Sequence, residues 1–307
     1  MMGSQHAAQG HPVADPPVFE RLAILGLGLI GGSVARAVRQ AGLAKVCVGF
    51  DRDEAVRQRV RELGFVDRVA DTAVLAVAQA DCVVLAIPVG ACAPAMGEIA
   101  DHLSPGAILT DVGSVKGCVV RDVGPLVPPG VHFIPGHPIA GTEFSGPDAG
   151  FAALFDGRYC VLTPPGAADP AALAKLTTFW ERMGSVVEVM SADHHDKVLA
   201  ITSHLPHLIA YTIVGTAAEL EEDIKHEVIR FSASGFRDFT RIAASDPVMW
   251  RDVFLNNKDA TLEIIQRFTE DLTALQKAIR RGDGAQLQDW FTKTRGLRRS
   301  IIEARQA

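Results

Sequence analysis

The segment Gly136-His137-Pro138-Ile139-Ala140-Gly141-Thr142-Glu143 carries one imidazole, followed five and six residues later by a hydroxyl and a carboxylate. Its Pro and Gly content reads as a loop, and loops held on a rigid scaffold are where chemistry tends to sit. Histidine is the side chain best poised to take or share a proton near neutral pH. Upstream lies a glycine turn with dinucleotide-binding spacing, and downstream a helix bearing Ser203, His204 and His207. A nicotinamide cofactor beside a histidine suggests oxidation of an alcohol.

The glycine turn is Gly26-Leu27-Gly28-Leu29-Ile30-Gly31-Gly32-Ser33, after the apolar run Leu22–Leu25 and before a helix beginning near Ile30. Gly26 makes the tight turn, Gly28 lets backbone approach a pyrophosphate, and Gly31 lets helix and strand pack closely. Leu29 and Ile30 then open the helix whose free N–H groups and positive dipole end suit phosphate. Asp51 closes the next strand twenty residues after Gly31, placed for the adenosine ribose hydroxyls and against a 2′-phosphate. NAD is therefore expected ahead of NADP. Arg52 dissents, since a guanidinium there could stack on adenine or reach a 2′-phosphate. Ala86-Ile87-Pro88-Val89 and Asp111-Val112-Gly113-Ser114-Val115-Lys116 end further strands at the same crevice, putting Ile87 and Pro88 beside the cofactor. Ser114 either meets the nicotinamide end or substrate, or simply caps a helix; Lys116 reads as a solvated helix residue.

On the helix after Ser191, Ser203 and His207 share a face at i and i+4, with His204 one turn from His207. This spacing could hold zinc, but no acidic third ligand completes a metal motif, and no metal is expected. His194 and His195, beside Asp193 and Asp196, read as a polar helix start. Asp238 and Arg241 lie one turn apart, either a surface ion pair or, given Phe236, Phe239 and Ile242-Ala243-Ala244, a partly buried arginine able to grip a carboxylate.

The elements that must position these groups follow from hydrophobic patterning. Short apolar runs at Leu22–Leu25, Val46–Phe50, Cys82–Ile87, Ala107–Asp111, His132–Ile134, Tyr159–Leu162 and Val186–Val189 alternate with helical stretches such as Ile30–Ala41, Glu54–Leu63 and Pro170–Met183. The alternation predicts an α/β, Rossmann-like doubly wound parallel sheet over 19–190. From 191 to 307 helical periodicity dominates, with Ala260–Arg281 and Ala285–Arg305 the longest patterns. Breaks are expected at Gly215, Gly235, Asp246-Pro247 and Gly282-Asp283-Gly284, and a cap at Ser191. The apolar faces there, Ile209, Ile213 and Val214 among them, exceed what a thin helical layer needs, so the expectation is a homodimer through an all-helical dimerisation domain. A compact monomeric bundle is the alternative.

A net charge of −6 with no run of Lys or Arg argues against nucleic acid as a partner. No stretch of 18 uninterrupted apolar residues appears, so no membrane span is expected. The polar, Ala- and Pro-bearing residues 1–18 lack the apolar core of a signal peptide and read as a disordered leader. Five scattered cysteines without ligand spacing fit buried thiols in a reducing cytoplasm.

Taken in order, GLGLIGGS, DVGSVK, GHPIAGTE, SHLPH and DFTRIA resemble the prephenate/arogenate dehydrogenase family of tyrosine biosynthesis, over roughly Arg21 to Arg305. The resemblance implies NAD-dependent oxidative decarboxylation of prephenate and/or arogenate to 4-hydroxyphenylpyruvate and/or tyrosine. It places the catalytic histidine on His137, with Ser114, Thr142 and Glu143 as its hydroxyl and carboxylate partners. Substrate-binding positions fall on Ser203, His204 and His207, and the carboxylate-gripping arginine on Arg241, with Asp238 and Glu143 in a gating ion network. Trp250 matches a pocket wall or packs the core. Asp148 either pairs with the ammonium of arogenate or serves a Pro147-Asp148-Ala149-Gly150 turn. Two other readings are a β-hydroxyacid dehydrogenase or imine reductase, which would be expected to show a lysine and an Asn a turn later where Lys197 is followed by Ile201, and a non-enzymatic NAD-sensing regulator.

Overall fold

Strand β1 (Phe19–Leu25) is apolar at most positions, as a strand covered on both faces must be. In the computed structural model, which describes residues 15–166, 168–219 and 234–303, it lies in the middle of a six-stranded parallel sheet. Its neighbours are β2 (Ala44–Phe50) and β4 (Cys82–Leu85), with β3 (Arg68–Val69), β5 (Ile108–Asp111) and β6 (His132–Phe133) completing the order β3-β2-β1-β4-β5-β6. The crossovers are α1 (Leu29–Ala41), α2 (Glu54–Leu63), α3 (Ala73–Val77), α4 (Val89–Ile99) and α5 (Lys116–Val123). One face of the sheet packs Leu22, Ile24, Val34 and Val38 with Phe179 and Trp180; the other packs Ala23, Leu25, Val83 and Leu85 with Met96, Ile99 and Val119. The strand order reverses direction between β1 and β4, which opens a crevice at their carboxyl ends.

The last three strands depart from expectation. Pro135 ends β6 because it has no N–H for the ladder, and the chain enters a separate three-stranded sheet. There β7 (Gly136–Pro138) pairs antiparallel with β8 (Tyr159–Leu162), and β8 pairs in parallel with β9 (Val186–Val189) across α6 (Pro170–Arg182). His137 therefore sits on a strand and not on a loop, opposite Val161. The two-residue β3 also had no periodic signal to announce it. The leader ends sooner than residue 18: the Val18 amide donates to the Leu43 carbonyl at 2.8 Å, and Arg182 Nη1 donates to the Pro16 carbonyl at 2.7 Å. Residues 1–14 lie outside the described ones.

The helical half comprises α7 (Ala192–Leu199), a π turn (Ala200–His204), α8 (Leu205–Ala218), α9 (Ser234–Thr240), a 3-10 turn (Arg241–Ala244), α10 (Pro247–Asn256), α11 (Lys258–Arg281) and α12 (Gly284–Glu303). Ser191 caps α7 by accepting from the His194 amide at 3.2 Å, Asp246 caps α10 from the Met249 amide at 2.7 Å, and left-handed Gly282 ends α11. Gly215 breaks nothing, since it lies inside α8, whereas Gly235 is the second residue of α9 and the residues before Ser234 lie outside the described ones. The π turn is the other departure. Pro206 cannot donate to the carbonyl one turn back, and the helix widens just before it. Contrary to the sequence expectation, the continuous helix Ala192–Ala218 is long and apolar enough, by length and composition, to cross a membrane, and only 28% of its apolar window is buried.

Candidate active site

The glycine turn takes the geometry its spacing implies. Gly26 has φ +96°, and a Cβ there would fall 2.2 Å from the Ala86 carbonyl oxygen; a Cβ on Gly31 would fall 1.9 Å from the Gly26 carbonyl oxygen. Gly28 differs: a Cβ there would meet nothing within 4 Å. It caps α1 without any side-chain acceptor for the first-turn amides, so donors and space remain together at the crevice. Asp51 accepts from the Leu27 amide at 2.9 Å through one oxygen and from the Asp53 amide at 3.0 Å through the other, leaving each carboxylate oxygen a further lone pair. Leu29, Ile30, Ile87 and Pro88 stand at the rims of this crevice, on the first turn of α1 and after β4, and Arg52 is exposed beside it. These residues fit a dinucleotide.

At the far end of the crevice, His137 is 8% exposed. Its Nδ1 lies 2.8 Å from His195 Nε2, and His195 Nδ1 lies 2.7 Å from Asp196 Oδ1. Asp196 also accepts the first two amides of α5, from Lys116 and Gly117, both at 2.8 Å. Burial holds the His137 imidazole well below its usual range, with His195, Lys116 and His204 adding to the shift. Burial likewise depresses His195, although Asp196 opposes it. For Asp196, burial alone would raise the carboxyl, but hydrogen bonds from His195 and the two amides outweigh it and keep it ionised.

Two expectations are overturned here. Lys116 is not solvated but fully buried, ion-paired to Asp111 and donating to the Gly136 carbonyl at 2.7 Å. Asp111 also accepts the Gly113 and Gly136 amides at 2.8 and 3.2 Å, so this pair holds both backbone groups of Gly136, just before the histidine, against the end of β5. His195 and Asp196 are not a polar helix start: packing of α7 on α5 buries both, while His194 stays exposed. No spacing rule finds these residues, because the partner helix lies about eighty positions away. Asn257, between α10 and α11, was also missed. It donates to the Asp196 carbonyl at 2.8 Å and lies 3.1 Å from His204 Nδ1.

The remaining site positions divide. Ser114 is half-buried and is no helix cap, since Val115 precedes α5 and Asp196 serves its first amides. His207 stacks on Trp250 with centroids 3.6 Å apart, and its Nδ1 lies 2.8 Å from the Ser203 carbonyl oxygen. Trp250 is buried and meets both readings, lining the histidine face and packing against the core beside Val253 and Phe254. His204, within the π turn, is buried, and burial lowers it to about 4. Thr142 accepts from the Phe144 amide at 3.3 Å. Glu143 pairs with Arg241 at 3.1 Å, joining the histidine segment to the helical half. Arg241, expected to be partly buried, has a side chain 58% exposed, and Asp238 is exposed on α9. Asp148 lies in a 3-10 turn, in keeping with the turn reading, and pairs with Arg59 at 2.6 Å on the surface.

A dinucleotide cradle on a parallel sheet, facing a buried histidine and a helical half with further imidazoles, defines a Rossmann-type dehydrogenase. The chain matches the models for "Prephenate dehydrogenase, nucleotide-binding domain" over residues 34–189 and "Prephenate dehydrogenase, dimerization domain" over 191–293, and it belongs to that family. It is 42% identical to the cyclohexadienyl dehydrogenase of Zymomonas mobilis, over 92% of this chain and 97% of that protein. Among solved structures it resembles prephenate dehydrogenase from A. aeolicus in complex with hydroxyphenyl propionate and NAD+, with TM-score 0.85, 34% identity and coverage of 92% of this chain and 98% of that one. Synechocystis arogenate dehydrogenase is similar at TM-score 0.77 and 30% identity, covering 92% and 99%. The hydroxyacid dehydrogenase reading is not favoured, in keeping with the exposed Lys197.

Proposed function

We propose that the chain catalyses the oxidative decarboxylation of prephenate and/or arogenate, with NAD ahead of NADP as oxidant. The observation that carries this reading is His137, buried at the edge of the dinucleotide crevice with one ring nitrogen held by His195. The names of the relatives supply the substrate class. Bound dinucleotide would supply the hydride acceptor, seated on the open turn at Gly28 with its ribose at Asp51.

His137 takes the proton of the ring hydroxyl as hydride leaves the carbon bearing it. The ring carboxylate departs as CO2, its bond pair enters the ring, and the imidazole returns the proton to the phenolic oxygen. Ser114 stands near the reacting end. Ser203, His207 and Arg241 hold the carboxylates, an orientation effect, and Glu143 with Asp238 gates them electrostatically. Asp51 favours NAD by repelling a 2′-phosphate. Both acids are expected to react, and Asp148, engaged by Arg59, is given no part in choosing between them. A second copy covers the open apolar faces at Val214, Leu262, Leu272, Ile279 and Phe291, making the helical half a homodimer interface. A cytoplasmic setting is part of the proposal, supported by five free, buried thiols.

The test is a steady-state assay of both acids with NAD and NADP. His137→Asn, which keeps a hydrogen bond but loses the base, should lower kcat by about 10²–10⁴-fold with little change in KM. Near-normal turnover in that variant would remove His137 from the chemistry.

A further inference from the structure

We propose that Asp196 and His195 are positioning residues that force His137 into the tautomer bearing its proton on Nδ1, leaving Nε2 as a free base. This rests on the functional reading above for its kinetic consequence, but not for its structural content. The argument begins at Asp196. Its Oδ1 faces both His195 Nδ1 and the Lys116 amide, and its Oδ2 faces the Gly117 amide. The two amides only donate, and with the His195 contact they favour the ionised carboxylate over the burial that opposes it, so the group is the acceptor for all three contacts. His195 must then carry its proton on Nδ1. The same ring is neutral, because its full burial depresses it further than Asp196 supports it, so its Nε2 is a lone pair. That lone pair lies 2.8 Å from His137 Nδ1, which must in turn be the protonated nitrogen. The preference runs one way along the chain, and each link is set by the one behind it.

The consequence is chemical. An imidazole with its proton on Nε2 would offer a donor to the substrate hydroxyl where a base is needed. With Nδ1 protonated and bonded to His195, the positive ring formed on proton uptake is also stabilised through the same hydrogen bond. The charged and titratable groups facing the pair come from several elements: Asp196 on α7, Lys116 on α5, Asp111 at the end of β5 and His204 in the π turn. Lys116 is already neutralised by Asp111. Asp196 is therefore the negative charge that supports the basicity of His137.

The experiment uses the full chain labelled with 15N histidine, and a long-range proton–nitrogen correlation reads the tautomer near pH 7.5 without substrate. His137→Asn identifies the resonance. Wild type should show His137 protonated on Nδ1. His195→Leu removes the acceptor but leaves the cap of α5 in place, and it should move the proton to Nε2. In His195→Leu and in Asp196→Asn, kcat should fall by about 10²–10⁴-fold with KM little changed, as when the orienting carboxylate of a catalytic histidine is lost. The acid limb of the kcat profile should move to lower pH in Asp196→Asn, a displacement that mere loosening of the fold would not produce. A wild-type His137 protonated on Nε2, or an unmoved acid limb in Asp196→Asn, overturns the proposal. If neither cyclohexadienyl acid reacts and the Nδ1 tautomer is nevertheless found, the functional reading fails and the relay stands.

Discussion

Two glycines of the nucleotide turn should respond to the same substitution in opposite ways. Gly31→Ala puts a methyl 1.9 Å from the Gly26 carbonyl oxygen, with the Ala86 methyl at 3.0 Å on the other side. Both obstacles are core, so α1 must lift from the sheet. Such overpacking costs about 1–3 kcal/mol or more, roughly 2–12 °C in Tm for a nucleotide domain of this size. Gly28→Ala meets nothing within 4 Å. Its cost to the free protein is limited to the weaker cap, about 1 kcal/mol at most. The added methyl instead occupies space facing the crevice, where a pyrophosphate would approach the amides of α1. Loss of one charge-assisted hydrogen bond there, about 1.5–3 kcal/mol, corresponds to roughly a 10- to 150-fold rise in the dissociation constant for NAD. Thermal melts without ligand and calorimetric titration with NAD separate the two effects. A Gly28→Ala protein that binds NAD like wild type, or that melts as early as Gly31→Ala, would refute this account of the turn.

Other outcomes follow from the site. Lys116→Met leaves Asp111 charged and buried with only two amides, and should cost about 3–5 kcal/mol in chemical denaturation; adding Asp111→Asn should recover part of it. Arg241→Gln should raise KM for the substrate about tenfold, the lower end for a charge-assisted bond because the side chain is largely exposed, with kcat nearly unchanged. An unaltered KM would show that another group holds the carboxylate. Acid should destabilise the fold below about pH 6.5: unfolded histidines bind protons there, whereas folded His204 does so only near 4, so the unfolded state gains protons first. That residue alone contributes about 3 kcal/mol, lost as the pH falls from about 6.5 to about 4, and His137, His195 and His207 act in the same direction. Denaturant midpoints measured from about pH 7.5 to 4.5 check this, and a flat profile would contradict the burial of these rings.

What could be read from the chain was local. GLGLIGGS announces its own turn because each glycine answers a constraint within a few residues, and the α2 and α11 patterns repeat at helical period over many turns. Strand β7 is three residues long, follows Pro135 and ends on Pro138, so its composition looks like loop, and only its pairing with β8 makes it a strand. His195 and Lys116 were misread for a related reason. A charged or polar residue near a helix start is usually solvated, and here burial is imposed by packing of α7 against α5. The exposure of Arg241 and the pairing of Asp148 with Arg59 are likewise settled by tertiary neighbours.

The carboxylate of Asp196 belongs to the helical half, yet it terminates α5 of the nucleotide half. Swinging the halves apart at the β9–α7 junction would strip two α5 amides of their carboxylate acceptor and part His137 from His195 in one movement. The two bodies are thereby riveted next to the base. The Glu143–Arg241 pair spans the same two halves through side chains that are not buried, and it can part without disturbing this buried junction.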